Sequence, residues 1–350
     1  WGQAGCWDRR FAADLARLYG SEHLDEDYNY KDFETHYEAL GTCTEGMINL
    51  SDAHLLTHAH LLSGRADVVL NGYAGDLILG GSYLRPSWMQ PLAREKVAKL
   101  IFSWRNALVP EEEISGLAPA LNDADPSVFP SAVFHKLFFA VDNDSTPDLV
   151  DQYVLENRVR RQTAMGTVLL RRAAESAAPF FDYDLVDLET GIPASMRREH
   201  KIYKAMMRTA IPESLTCRWQ RTLMYPSAPT LAVVLSKGAL KVSRKLESLF
   251  GLTGPASLQS PVDFAAWTRG DLASWMARVC CDSNAVSDEV LSKAAAREAW
   301  RSHSNGADRM GVLSIIVALR SFSLALGNAR AGRAVACADA PAEVLKQGEG

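Results

Sequence analysis

Residues 68–83, VVLNGYAGDLILGGSY, decide how this chain is read. ADVVL is a short apolar strand that runs straight into a glycine-rich turn, NGYAGD. A helix before it and LILGG after it predict a parallel strand covered by helices. Gly72 and Gly75 allow close backbone approach or a positive φ. The carboxyl end of a parallel strand is where open α/β sheets bind nucleotides. Asp76 adds a hard carboxylate suited to Mg²⁺ beside phosphate oxygens, and Gly80 and Gly81 let the chain turn again. The same residues also read as a tight turn whose Asp caps a helix, and on their own they leave both readings open.

The rest of the chain sets bounds. With 350 residues, 47% hydrophobic and 23% charged, it reads as a globular protein of roughly two domains. A net charge of −5 gives no nucleic-acid footprint. Six scattered cysteines without a C-x-x-C pair predict free thiols in a reducing compartment, hence a cytoplasmic protein. No apolar run is read as reaching transmembrane length, and no signal peptide is evident. The start is Trp1 within what reads as the middle of an element, so upstream sequence is expected.

Towards the N-terminus, RRFAADLARLYG predicts a helix capped by Asp8 and stopped by Gly20, then an extended piece at 22–25. Residues 51–63 predict a helix begun by Ser51 or Asp52. Past Pro86 the pattern is helical, over 92–108, 129–140, 147–176, 183–190 and 199–210. Residues 226–262 hold four prolines and a basic stretch, and read as a surface helix or mobile insertion, with a membrane-contact helix as the alternative. Helices are expected again over 264–281, 286–300 and 308–326. The expected organisation is an incomplete nucleotide-binding α/β portion at 1–90, a helical remainder at 91–326, and a disordered tail at 327–350.

A family resemblance enters with the turn. Asn71 to Ser82 is similar to the motif S-G-E-G-x-D-E-x-F-G-G-Y of asparagine synthetases and their relatives: Gly72 follows the strand, and Gly80-Gly81 follow Asp76 by four residues. Asn71, Tyr73, Ala74 and Leu77 depart from it. Glu175 to Asp182, ESAAPFFD, resembles the family's E-x-R-x-P-F-L-D with Ala177 in place of the arginine. IPASMRREHKIYKAMMRTAIPESL resembles a later block and puts Lys204 on the family's catalytic lysine, with Arg208 one turn on. Trp1–His23 and the segment SPVDFAAWTRGDL with HSNGAD resemble further stretches, so the match runs in order over about residues 1–325.

The resemblance implies an α/β fold of the adenine-nucleotide α-hydrolase type, a PP-loop ATP pyrophosphatase, with a partial parallel sheet and a large helical C-terminal part. It implies an ATP-dependent amide-forming ligase that activates a carboxylate as an acyl-adenylate, releasing pyrophosphate, before an amine displaces AMP. ATP and Mg²⁺ are the implied cofactors, a small carboxylate and an amine donor the substrates, and a homodimer one expected assembly. Asn71, Gly72 and Gly75 would line the nucleotide, Asp76 would hold Mg²⁺, and Lys204 would neutralise phosphate or oxyanion charge. Glu at the place of Tyr73 typifies asparagine synthetase proper. Tyr there resembles the β-lactam-forming branch, in which a Tyr–Glu pair acts as base; Glu111, Glu112 or Glu113 is the loose candidate partner, and packing over the nucleotide the other reading. The family's S-G-G-x-D-S loop does not occur in these residues, nor does its glutaminase domain. The expectation is therefore a fragment that alone binds ATP weakly and does not turn over. A non-catalytic relative within a biosynthetic complex is the competing reading. His54, His58 and His60 have zinc-like spacing but read as packing residues; Arg158, Arg160 and Arg161 read as a solvated or salt-bridged face.

Overall fold

The computed structural model describes residues 1–28, 30–47, 54–105, 109–121, 125–282 and 285–332. Their secondary structure is mostly helical, with a two-stranded parallel sheet of β1 (Val68–Leu70) and β2 (Glu175–Ala177). The register pairs Val68 with Glu175, Val69 with Ser176 and Leu70 with Ala177. The parallel strand read from the sequence is thus present, compatible with an α/β class. It is less covered than expected, because Leu70 is 74% exposed and Val68 47%.

The chain divides into two compact units, one of Trp1–Asn29 with His200–Asp263 and one of Tyr30–Glu199 with Phe264–Gly350. In the first, the helix Trp7–Tyr19 ends at Gly20, whose φ of 62° gives the left-handed C-cap that glycine adopts without strain. Asp8 lies inside its first turn, and Cys6 takes the N-cap position expected for it. Arg9 leaves this helix to bind Asp25 through two hydrogen bonds of 2.6 and 2.8 Å and also pairs with Asp27, fixing the loop beside the Gly2–Asp27 bridge. Residues 22–25, expected to be extended, carry no helix or turn, and Arg9 anchors them at Asp25. The helix Thr230–Phe250 fills the region read as a surface helix. Near its end, Glu247 turns inward and accepts from the backbone N–H groups of Ala256 (3.0 Å) and Ser257 (2.7 Å), which tethers the following loop.

In the second unit the helix Met310–Arg330 packs along Lys31–Thr44. It is long and apolar enough to cross a membrane, which corrects the expectation that no apolar run reaches that length. Its packing is that of a core helix: Val312, Leu313, Ile316 and Val317 are buried, and buried Arg320 is neutralised by Asp288 at 2.8 Å. A Cβ on Gly41 would stand 2.3 Å from the carbonyl group of Ser321, so only glycine lets these helices meet. Ser321 Oγ seals the crossing by donating to the Tyr37 carbonyl at 2.6 Å.

Several expected helices are interrupted. The span read as one helix over 147–176 is Thr146–Tyr153, a π-helix over Val154–Thr163, Ala164–Leu170 and then β2. The polar spacing of 171–177 hid a strand only three residues long, too short for periodicity to register. The regions 264–281 and 286–300 each break into two helices, the latter between Asp288 and Lys293. The last helix runs on to Arg330, past the Gly327 where the tail was expected to begin; 333–350 lie outside the described residues, as do Ser51, Asp52 and 106–108.

Gly41→Ala is expected to destabilise the fold by about 3 kcal/mol or more, because a backbone contact cannot relax as a side chain does. Equilibrium urea unfolding reads it; a loss within experimental scatter would mean the helices do not cross as described.

Candidate functional site

The glycine turn starts where the sheet ends. Asn71 N–H donates to the Ala177 carbonyl at 2.9 Å, extending the β1–β2 ladder by one bond. The Asn71 side chain is engaged at both its amide groups, donating to Ser176 Oγ and accepting from Tyr73 N–H at 2.9 Å. That second bond is an Asx turn, which reverses the chain locally. The positive φ that the sequence suggested for Gly72 or Gly75 falls on Ala74 instead, at 59°. For a non-glycine residue this left-handed state costs roughly 1–2 kcal/mol. The two glycines serve close approach, in different ways. A Cβ on Gly75 would lie 2.7 Å from the Phe180 ring, whereas one on Gly72 would meet nothing within 4 Å. Gly72 thus faces open space and leaves its backbone approachable. Asp76 is exposed, and its carboxylate has no hydrogen-bond or ion-pair partner among the described residues.

Tyr73 is packed rather than free. Its ring stacks on Phe181 at 5.2 Å and its hydroxyl donates to the Val159 carbonyl, in the π-helix, at 2.7 Å. Burial raises the phenol above its ordinary value. The acidic candidates for its partner are engaged elsewhere in two cases: Glu111 accepts from Ser131 Oγ at 2.9 Å and Glu113 pairs with Arg309.

Behind the turn a buried ion cluster holds the chain. Gly81 has φ 55°, and a Cβ there would be 2.8 Å from the Arg197 carbonyl carbon. Arg197, 3% exposed, pairs with Asp148, Asp151 and, at 2.9 Å, Glu189. With Leu77 and Ile78 these residues line a cavity of about 230 Å³. Burial pushes the Asp151 carboxyl from its ordinary 3.8 up to about 7; Arg197 opposes the rise, while Glu189 and Asp148 add to it.

Asn71, Gly72, Tyr73, Gly75 and Asp76 are therefore brought together in one turn of the second unit. Lys204 belongs to the first unit, on the helix Lys201–Ala210, with its ammonium 5.3 Å from the centre of the Trp219 ring. That helix is entered through two successive left-handed residues, Glu199 (φ 61°) and His200 (φ 58°). Among the histidines, the His58 ring nitrogen bonds the His54 carbonyl at 2.8 Å; the His60 side chain lies outside the described residues. Arg158 sits against the Tyr83 ring and hydroxyl. The part that sequence reasoning missed is Phe180 and Phe181, quoted only as a motif, which form the wall over Gly75 and Tyr73.

Ala74→Gly is expected to leave the melting temperature unchanged or higher, since relief of left-handed strain offsets the lost methyl. The same swap at Ala98, buried within the helix Arg94–Arg105, should cost about 1 kcal/mol. Equal losses at both sites would remove the strain argument. A second expectation concerns pH. Because Asp151 holds its proton more tightly folded than unfolded, its contribution to stability is fully present below about 4 and is lost as pH rises through about 7. The melting temperature of the wild type, relative to Asp151→Asn, should fall over that window and level off above it. A difference independent of pH would contradict the raised carboxyl.

No curated protein and no solved structure matches the chain. The sequence model of the asparagine synthase family matches residues 1–221. That span holds the glycine turn, β2 with its Phe180–Phe181 wall, and Lys204. Membership implies ATP-dependent amide-bond formation in general, acting on small molecules. On this match the chain belongs to the asparagine synthase family, as its synthetase domain.

Proposed function

We propose that the chain forms a carbon–nitrogen bond by activating a carboxylate as its acyl-adenylate. A carboxylate oxygen attacks the α-phosphorus of ATP and pyrophosphate leaves; an amine nitrogen then attacks the acyl carbon, AMP leaves with the bonding pair, and the amine loses a proton. The observation that carries this reading is the turn itself, in which an approachable Gly72 backbone stands four residues before an exposed, unpartnered carboxylate at Asp76. Mg²⁺ held by Asp76 would neutralise the pyrophosphate oxygens. Lys204 would place its ammonium on the phosphates or on the oxyanion of the second step, where a preorganised charge acts most strongly. The sheet belongs, in this reading, to the PP-loop pyrophosphatase type. Five free cysteines among the described residues support a cytoplasmic setting.

Tyr73 leaves the substrate open. Its packed hydroxyl and raised acidity constant favour a structural part in the turn, whereas β-lactam-type chemistry would require it to leave Val159 and act as base. Tyr73→Phe separates the two. A structural part predicts about 1 kcal/mol of lost stability with turnover within a few-fold; a base predicts a loss of about a hundredfold or more in turnover.

ATP–pyrophosphate exchange with a panel of carboxylates tests the function, on the 350 residues alone and joined to whatever is encoded directly upstream. The joined chain is expected to exchange with one carboxylate class, and Asp76→Asn to abolish exchange without shifting the melting temperature. Lys204→Met is expected to abolish exchange where its ammonium serves the phosphates, or to spare exchange and stop amide formation where it serves the second-step oxyanion. The 350 residues alone are expected to bind ATP weakly and make no adenylate. Absence of exchange in every case would leave a non-catalytic partner in a biosynthetic complex.

A further inference from the structure

The helix Thr230–Phe250 turns its apolar side to water. Leu231 (70% exposed), Leu235 (64%), Val242 (60%) and Leu249 (67%) run down one stripe, with Val234 and Leu246 beside them. At 3.6 residues per turn these six side chains cover an arc of about 120°. The two buried residues of the helix, Leu240 and Glu247, lie on the opposite side. A helix in a globular protein hides such a stripe, so something is expected to cover it.

Charge narrows the occupant. Lys237, Lys241, Arg244 and Lys245 are all exposed; Lys245 falls within the arc beside Val234, and the other three lie beyond that same edge. Glu247, the helix's only acid, is turned away into the loop at 256–257. The exposed surface is therefore apolar along its centre and carries four positive charges. A helical seam with a second copy fits poorly: following the spacing from Leu231 through Leu235 and Val242 to Leu249, the intervening seam positions are Gly238 and Lys245, neither of which fills a hole in a facing helix. An anionic lipid surface satisfies both halves. The stripe enters the boundary of the acyl chains, and the lysine stems run along it to place their ammonium groups among the phosphates.

We propose that the helix Thr230–Phe250 lies flat on an anionic lipid surface. Flotation of the whole chain with vesicles tests this, comparing mixed phosphatidylcholine–phosphatidylglycerol vesicles with pure phosphatidylcholine. The protein is expected to float with the mixed vesicles only. Leu235→Glu with Leu249→Glu should abolish flotation at an unchanged melting temperature, since both side chains are already solvated. Lys241→Gln with Lys245→Gln should weaken partition by about thirtyfold, from roughly 1 kcal/mol per basic residue near the surface. Failure of the wild type to float, or flotation unaffected by either double variant, overturns the proposal. So does a lipid-free dimer that Leu249→Glu converts to monomer, which would give the stripe to a second copy.

Discussion

The candidate site depends on one short ladder, the pairing of Val68–Leu70 with Glu175–Ala177. Two parallel strands of three residues are marginal by themselves. What the pairing contributes is position. β1 delivers the turn and β2 delivers Pro179–Phe181 immediately after it, so both walls of the turn are set by the same register. A slip of one residue would carry Ser176 out of reach of Asn71 and shift Phe180 from Gly75. The bond from Asn71 N–H to the Ala177 carbonyl makes the turn a continuation of the ladder, with no intervening slack.

So small a sheet needs an outside constraint, and Arg197 supplies one. Its guanidinium reaches two carboxylates on the helix Thr146–Tyr153 and a third on Tyr183–Thr190, while its own backbone presses on Gly81. Asp148 keeps much of its water, but burying the Asp151 and Glu189 carboxylates and a guanidinium is costly, and well-packed apolar side chains of the same volume would often give equal stability. A single fork-shaped cation offers something apolar contact lacks, namely a fixed mutual orientation for three elements. The cluster is thus better understood as a device for register than as a source of net stability.

The sequence revealed this site unevenly, for physical reasons. A turn was legible from the glycines and the Asp after a β-branched run, but its nucleotide reading came only with the family blocks and their order along the chain. The position of the left-handed residue was not legible. Glycine tolerates that state best, so Gly72 and Gly75 were the natural candidates, yet Ala74 adopts it while Gly75 is needed for Phe180. β2 was also missed, since Glu-Ser-Ala has weak strand propensity and is held by its partner across 107 positions. Arg197 was unremarkable in a run of charged residues; its role shows only with the carboxylates around it, two of them more than forty positions earlier. In the helix Thr230–Phe250 the pattern was plain, but whether its apolar face was covered required coordinates.

The departures from the family's turn are best understood together. Where the resemblance leads one to expect a Glu, Tyr73 places a neutral ring on Phe181 and ties its hydroxyl to Val159. That carbonyl lies within a π-helix, whose wider turns move carbonyl groups off the ordinary α-helical positions and often mark functional places. At the next position, where the family has Gly, Ala74 holds a left-handed conformation that its methyl disfavours. Strain of this kind persists only where neighbours over-determine the backbone. The Asx bond of Asn71 on one side and the anchored Tyr73 ring on the other do so here. The substitutions at 71, 73 and 74 therefore form one solution: the turn is held by its own side chains, and its acidic charge is left to Asp76. A turn with one carboxylate where the family's motif carries more is less negative, and its conformation no longer depends on the glycine that the motif supplies at 74.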